Sequence, residues 1–304
     1  MTPEIPPPTV GTYALHWLAQ IRRRVKPRTV ETYGLNLAQH WLPALGPDTR
    51  LVDLTRGQIR AVLLAKLDDG YATETVRLML RVLRRMLNWA RVEDGVLVAN
   101  PAEGLVSVLP KRRGPHVQTA LDRDELRLFL VAARALHVGL YVLFVVAART
   151  GLRLGELLGL RWEDLDLERR TLYVARTLDW RRNEGSPKGG EMHLLPLSLQ
   201  ANAALRELRA RDPGALSPWV FHGPSGRPWS RVHVWRVMDR ACKVARLPHA
   251  SPHALRHSFI THVAEIAETP WEVRDLARHQ SITTTEPYLH LKLRYRRTVD
   301  ALDD

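Results

Sequence analysis

The feature that most constrains this chain is a break in its pattern. Over residues 100–116 the apolar periodicity that fills the rest of the sequence lapses. Pro101, Gly104, Pro110, Gly114 and Pro115 interrupt any regular element, and Lys111, Arg112 and Arg113 form a basic triplet. A stretch that can neither continue a helix nor join a sheet separates two folding units. We place the basic interdomain linker at residues 107–118, with one domain at 1–106 and the second at 119–304. Two domains also suit a length of 304 residues.

Before the break every element reads as a helix. Apolar spacing runs over residues 12–23, then from near Thr29, after Lys26-Pro27, to Pro43. Thr55 and Gln58 fit a capping box, with Gly70 as the stop of that third helix. Thr73 opens a long fourth helix that ends by Gly95. Val76, Met79, Leu80, Leu83, Leu87 and Ala90 make its apolar face. Arg77, Arg81, Arg84, Arg85 and Arg91 take much of the remainder, and no acid lies between Glu74 and Glu93. A guanidinium row without acidic neighbours one turn away predicts a helix that faces phosphate. Arg77, Arg81, Arg84 and Arg85 are its candidate contacts, with Lys111, Arg112 and Arg113 of the linker.

The second half is mixed. Asp122 and Glu125 fit another capping box, and residues 136–148 are apolar nearly all round, which predicts a buried core helix. A short helix over 154–160 follows the Thr150-Gly151 break. Residues 171–177 and 192–197 read as two strands of a small β-ribbon, joined through a polar segment at 179–190. Helices are expected at 198–211, 230–246, 253–268, 270–278 and once more after Tyr288. The tryptophans, Trp89 and Trp235 included, are expected in the core. The fold class is mainly α with a small β-sheet: a helical N-terminal domain and an α+β second domain.

Charge narrows the partners. Lys and Arg number 45 against 32 Asp and Glu, a net +13 and an isoelectric point near 10.5. That surplus points to a polyanion, of which nucleic acid is the commonest. A single cysteine, Cys242, excludes a disulfide framework or a Cys-rich zinc site. No apolar run reaches the ~18 residues of a membrane span, and residues 1–10 lack a signal-peptide pattern. A cytoplasmic setting without membrane contact is expected. His249, His253 and His257 are spaced by four. Pro252 interrupts the first interval and no Cys or nearby acid completes a ligand set, so neither a metal nor another cofactor is expected.

Three stretches carry the chemistry. The first is Ala148-Arg-Thr-Gly-Leu-Arg-Leu-Gly-Glu-Leu157. The second is Ser186-Pro-Lys-Gly-Gly190, running into Leu195-Pro196. The third is Ser251-Pro-His-Ala-Leu-Arg-His-Ser258, followed by Ala277-Arg-His-Gln-Ser281 and Thr285-Glu-Pro-Tyr-Leu-His290. Cleaving a phosphodiester without metal needs a nucleophile, a proton donor for the leaving oxygen and cations on the developing charge. Guanidiniums suit the non-bridging oxygens because they are planar, forked and always charged.

Together these stretches resemble the tyrosine recombinase (phage integrase) family. In that family an Arg follows a Thr-Gly turn, a Lys sits in a β-hairpin, a His-x-x-Arg opens a helix, and a His and a Tyr come later. The matching positions are Arg153, Lys188, His253, Arg256, His279 and Tyr288, and the intervals of 23 from Arg256 to His279 and 9 from His279 to Tyr288 agree with the family. The pattern of Thr29-Val-Glu-Thr-Tyr33, Thr55, Thr75-Val76 and Asn100-Pro101 looks like the family's helical core DNA-binding domain (SAM-like).

The resemblance implies roles for these residues. Arg153 and Arg256 would hold the phosphate, and His279 would donate to it. Glu156 would support Arg153, and His253 would be a base or hydrogen-bond partner. Lys188 would be the general acid and Tyr288 the nucleophile. Lys188 is the only lysine between Lys111 and Lys243 in a chain with six lysines among its 45 basic residues. His257 is expected to be a structural neighbour of His253. Tyr295 lies in a basic tail and is the lesser candidate nucleophile. Arg278 stands where the family has Gly, so it either crowds the site or adds a phosphate contact. Pro287 restricts the chain entering Tyr288.

The implied activity is site-specific recombination of double-stranded DNA through a 3′-phosphotyrosine, without metal or ATP. The implied assembly is a homotetramer on two DNA sites, joined through the C-terminal tail, with accessory proteins possible. About ten residues precede the first helix, so no separate arm-binding domain is expected, which leans towards a Xer-like or element-borne enzyme. Two alternatives stay open on the residues alone: a type IB-like topoisomerase, and a catalytically silent, sequence-specific DNA-binding regulator.

Overall fold

In the computed structural model, which describes residues 7–111, 120–186, 192–211, 217–279 and 281–289, the chain separates into two units, Met1–Gly114 and Pro115–Asp304.

Local chemistry sets the helix ends of the first unit. Helix α1 (Val10–Ile21) starts where the Thr9 hydroxyl accepts the Thr12 N–H. Helix α2 (Pro27–Asn36) has Pro27 in its first turn. The helical course as a whole runs two residues past Pro43, where the sequence predicts its end. It passes through a π-helical turn, Leu37–Trp41, into α3 (Leu42–Leu45). Pro43 falls in the first turn after the wider π turn, where its missing N–H and fixed φ cost least. Helix α4 (Arg56–Asp68) carries the reciprocal Thr55–Gln58 cap. Helix α5 (Thr73–Val92) is the long fourth helix of the sequence reading.

The predicted apolar face of α5 is buried throughout, against Tyr13, Trp17, Leu37, Trp41 and Leu63. The Trp41 indole reaches across to donate to the Met79 carbonyl at 3.0 Å. Trp89 is half-buried against this core, with the Arg24 guanidinium 4.5 Å from its ring centroid.

The second unit contains the predicted buried helix. Helix α6 (Arg123–Leu136) is capped by Asp122, whose carboxylate accepts the N–H groups of Asp124 and Glu125. Helix α7 (Val138–Thr150) buries Leu140 and every residue from Val142 to Ala148, then stops on Gly151 at a φ of +63°. After α8 (Leu154–Leu158) come β1 (Leu165–Asp166) and β2 (Thr171–Val174). The strand predicted over 171–177 divides: β3 (Thr177–Leu178) leaves the first sheet and pairs with β4 (Glu184–Gly185). At the division Arg176 is drawn off to Asp164 at 2.6 Å. Strand β5 (His193–Pro196) completes an antiparallel sheet of order β1-β2-β5, in the register Thr171 opposite Pro196 and Val174 opposite His193.

Helices α9 (Leu199–Arg211), α10 (Arg231–Val244), α11 (Pro252–Ile266), α12 (Pro270–Ala277) and α13 (Glu286–Leu289) follow. Helix α11 packs on α7, and behind it Ile260, Ala264, Ala267, Val273, Ala277 and Tyr288 form a small separate core. The expectation for the tryptophans needs correction. Trp235, Trp180 and Trp271 are 40%, 52% and 55% exposed, outside the core: Trp235 lies on the solvent side of α10 stacked on His249, and Trp180 and Trp271 lie under the guanidiniums of Arg181 and Arg274. Tyr288 is inside a helix, α13, and the helix expected after it falls on residues 290–304, outside the described residues. Among the described residues no helix is long and apolar enough to cross a membrane.

Candidate active site

The site assembles at the ends of α7, α11 and α12. Arg153 is the residue before α8. Its backbone N–H donates to Glu156 Oε2 at 2.8 Å and its Nη1 to Glu156 Oε1 at 2.9 Å. Glu156 itself is buried, and Arg153 keeps 30% of its side chain exposed. Helix α8 can sit this close to β3 because residue 155 is glycine. A Cβ there would stand 2.5 Å from Thr177 Oγ1 and 2.7 Å from the Leu178 carbonyl. The short helix that aims Arg153 and Glu156 is thus held by contact with the second sheet.

Arg256 lies in the second turn of α11, after Ser251 and Pro252 begin the helix. Its side chain is buried. Nη1 donates to the Gly151 carbonyl and Nη2 to the Ala277 carbonyl. One guanidinium thereby ties the turn after α7 to the end of α12. Gly151 is required there twice over. Its φ is +63°, and a Cβ would run into the Phe259 ring. Burial, followed by the charges of Arg153 and Arg278, pulls Arg256 down to about 9, so it stays cationic at neutral pH.

Arg278 forms a buried ion pair with Glu156, Nη2 to Oε2 at 2.9 Å. Its backbone is left-handed, φ 53° and ψ 48°, because it closes α12 at the position after the cap. The His279 N–H returns to the Arg274 carbonyl and the Arg278 N–H to the Asp275 carbonyl, which is the closing pattern that favours Gly. Arg278 bears that strain while its guanidinium shares one carboxylate with Arg153. Burial raises the Glu156 pKa, but Arg278, the Arg153 N–H and the Arg153 charge outweigh it and hold the carboxyl below its usual range.

Tyr288 is buried, and its hydroxyl bonds to Nδ1 of His257 rather than to His253. His253 is exposed, its ring edge-on to His257 with centroids 4.9 Å apart. His279 is fixed by a 2.9 Å bond between Nδ1 and the buried Thr285 hydroxyl, and its ring centroid is 6.5 Å from that of Tyr288. Burial first, then neighbouring cations, pulls His257 and His279 each down to about 4 and lowers His253. All three are neutral near pH 7. Burial pushes the Tyr288 phenol up, and only the Arg256 charge opposes it.

Of the predicted residues, Arg153, Glu156, His253, Arg256, His279 and Tyr288 are brought together. Lys188 lies outside the described residues, as do Arg112 and Arg113. In the other unit Arg81, Arg84, Arg85 and Lys111 are exposed. Arg77 differs: it is drawn to Glu74 at 3.5 Å and donates to the Pro110 carbonyl, and only 12% of its side chain is exposed. It braces the end of its own domain. Sequence reasoning missed the contact of His257 with the tyrosine, the Arg278 ion pair and the role of Thr285. The four-residue step from His253 was the available signal for His257, since it places both rings on one face of a helix.

Comparison with known proteins gives the family and the fold. The Phage integrase family model matches residues 119–294. Tyrosine recombinase XerC of Xylella fastidiosa (strain M23) is 31% identical over 282 residues, covering 90% of this chain and 90% of that protein. The Tn1549 transposon integrase, solved with a circular intermediate DNA, superposes with a TM-score of 0.79 at 22% identity, covering 91% of this chain and 94% of that one. A lambda integrase tetramer on a Holliday junction gives 0.72 at 21% identity, covering 90% of this chain and 78% of that one.

Proposed function

Because the chain belongs to the phage integrase family and is a tyrosine recombinase, we propose that it cuts and rejoins double-stranded DNA at a specific site with Tyr288 as the nucleophile. The Tyr288 oxygen attacks phosphorus, the bond to the 5′ oxygen breaks, and a 3′-phosphotyrosine and a 5′-hydroxyl result. The 5′-hydroxyl of a partner strand then attacks the ester and releases the tyrosine. The ester conserves the bond energy, so the exchange balances without ATP.

Arg153 and Arg256 hold the non-bridging oxygens and His279 donates to one of them. Glu156 orients Arg153. Lys188 protonates the departing 5′ oxygen, a role that rests on the family resemblance. The exposed Arg81, Arg84 and Arg85, with the 107–118 linker, grip phosphates along the duplex. Four protomers on two sites, exchanging C-terminal tails, complete the reaction in the cytoplasm.

The observation that carries this reading is the gathering of Tyr288, Arg153, Arg256 and His279 from four separate elements around one point. The test is covalent trapping. The wild-type chain is incubated with a fragmented genomic library of its source, and DNA joined to protein is sequenced. One recurrent sequence in the adducts, abolished by Tyr288→Phe, is expected. No adduct would overturn the enzyme reading. Relaxation of supercoiled DNA by single protomers without strand exchange would overturn recombination in favour of a topoisomerase.

A further inference from the structure

The nucleophile needs somewhere to put its proton. A phenol has a pKa of about 10, and in this site burial lifts it further. Tyr288 therefore reaches the phosphate as the neutral O–H. The Arg256 charge favours the oxyanion but, being cationic at neutral pH, Arg256 cannot accept the proton. An acceptor must be neutral at working pH, in contact with the hydroxyl oxygen, and held in place.

His257 meets each condition. Its Nδ1 is bonded to the Tyr288 hydroxyl. The two rings are tilted by only 21° with centroids 5.8 Å apart, a separation that ring edges joined through Nδ1 and the hydroxyl produce, and the Nδ1 lone pair lies in the imidazole plane. His257 faces His253 and Arg256 on its own helix, His279 from the turn after α12 and Tyr288 from α13. Apart from the tyrosine, every one of these is a cation or a potential cation, and with burial they keep the ring unprotonated down to about pH 4. The other two histidines do not qualify. His253 makes no hydrogen bond to Tyr288 among the described residues, and the Nδ1 of His279 is occupied by Thr285.

We infer that His257 is the catalytic base of this enzyme: Nδ1 takes the phenol proton of Tyr288 as the phosphotyrosine forms and returns it when the ester is broken. This rests on the proposed role of Tyr288. In cleavage the O–H bond of Tyr288 breaks, an N–H bond forms at His257 and the oxygen–phosphorus bond forms. The bond from phosphorus to the 5′ oxygen breaks, and that oxygen leaves with a proton from the general acid. Rejoining runs the same transfers backwards. The charge on the phosphodiester is unchanged. His257 ends cleavage as an imidazolium, which its cationic surroundings disfavour. The proton is therefore readily given back, which suits a reaction that must run equally well in both directions.

The test uses the full chain and a nicked duplex carrying a site recovered by the trapping experiment. Single-turnover adduct formation is measured from pH 6 to pH 9.5. Wild type should be nearly flat from pH 6 to 8. His257→Gln should be slower by about 10²–10⁴-fold at pH 7, the usual worth of a general base, with a rate that climbs about tenfold per pH unit as the phenol ionises unaided. Added imidazole should restore His257→Gly. A structural role alone would produce neither the slope nor the rescue. A His257→Gln variant as fast as wild type overturns the inference while leaving the nucleophile intact. So does a pH-rescued loss in His253→Gln with His257→Gln unaffected. No adduct from wild type overturns the reading of Tyr288 and the inference with it.

A second measurement needs neither DNA nor a substituted histidine. Nitrogen NMR of histidine-labelled wild type should show one ring with its proton on Nε2 and an accepting Nδ1, perturbed by Tyr288→Phe. A proton on Nδ1 of that ring overturns the inference.

Discussion

Two sets of arginines in this molecule do opposite things with the same side chain. On α5, Arg81, Arg84 and Arg85 are exposed on the face opposite a fully buried apolar row, Arg85 with one Nη on the Tyr33 hydroxyl at 3.0 Å. Around Glu156, Arg256 and Arg278 are buried and Arg153 is largely so. A guanidinium in water is screened and worth little in any one contact. The same group stripped of water acts at short range with full strength, and only neighbouring carbonyls and a carboxylate make it tolerable there. The first set is suited to collecting a polyanion. The second is suited to stabilising charge that appears only as bonds change.

The comparison is sharpest in its largest expected effect. Arg256→Lys keeps the charge but cannot span the Gly151 and Ala277 carbonyls as a fork. Single-turnover cleavage should fall by about 10²–10³-fold, the typical loss of one such donor, while duplex affinity measured by anisotropy changes little. Equal losses in both would erase the distinction between the sets. Next comes Arg278→Gly, which relieves the left-handed backbone but removes a buried partner of Glu156. Breaking a buried pair outweighs the strain, so urea denaturation should register a loss of about 2 kcal/mol. A gain in stability would mean that Arg153 alone satisfies the carboxylate. The smallest effect belongs to the triple change of Arg81, Arg84 and Arg85 to Ala. Affinity should drop by about tenfold and the slope of log affinity against log salt should become shallower by about 2–3, close to one per phosphate contact. Cleavage of bound DNA should not change. Arg77→Ala, by contrast, should leave the salt slope alone, because Arg77 already serves Pro110 and Glu74.

What was legible in the sequence was local. Thr55, Asp122 and Gly151 mark helix ends through bonds to residues three or four away, and these ends fall within a few residues of their predicted places. The apolar rows of α5 and α7 name their own buried faces. What was not legible depends on distant pieces of chain meeting. Nothing near Arg278 announces that Glu156, 122 positions earlier, will take its charge. His257 reads as filler beside His253 until α13 brings Tyr288 against it. Arg77 looks like its neighbours on the helical wheel, and beyond the nearby Glu74 it is set apart by Pro110, 33 residues on. Trp235 shows the converse error: size and apolarity suggest a core residue, but on α10 the core side is taken by Val234, Met238 and Ala241.

Gly151 carries a consequence for how this sequence can drift over evolutionary time. Two independent barriers guard the position, a positive φ and the Phe259 ring where a first side-chain atom would go. Trimming Phe259 would remove one and leave the other, so no single compensating change opens the position to variation. Its carbonyl also receives the Arg256 guanidinium, so a displaced turn would carry the chemistry with it. Among descendants of this chain, residue 151 should change last, and lineages that lose it should already have lost the reaction.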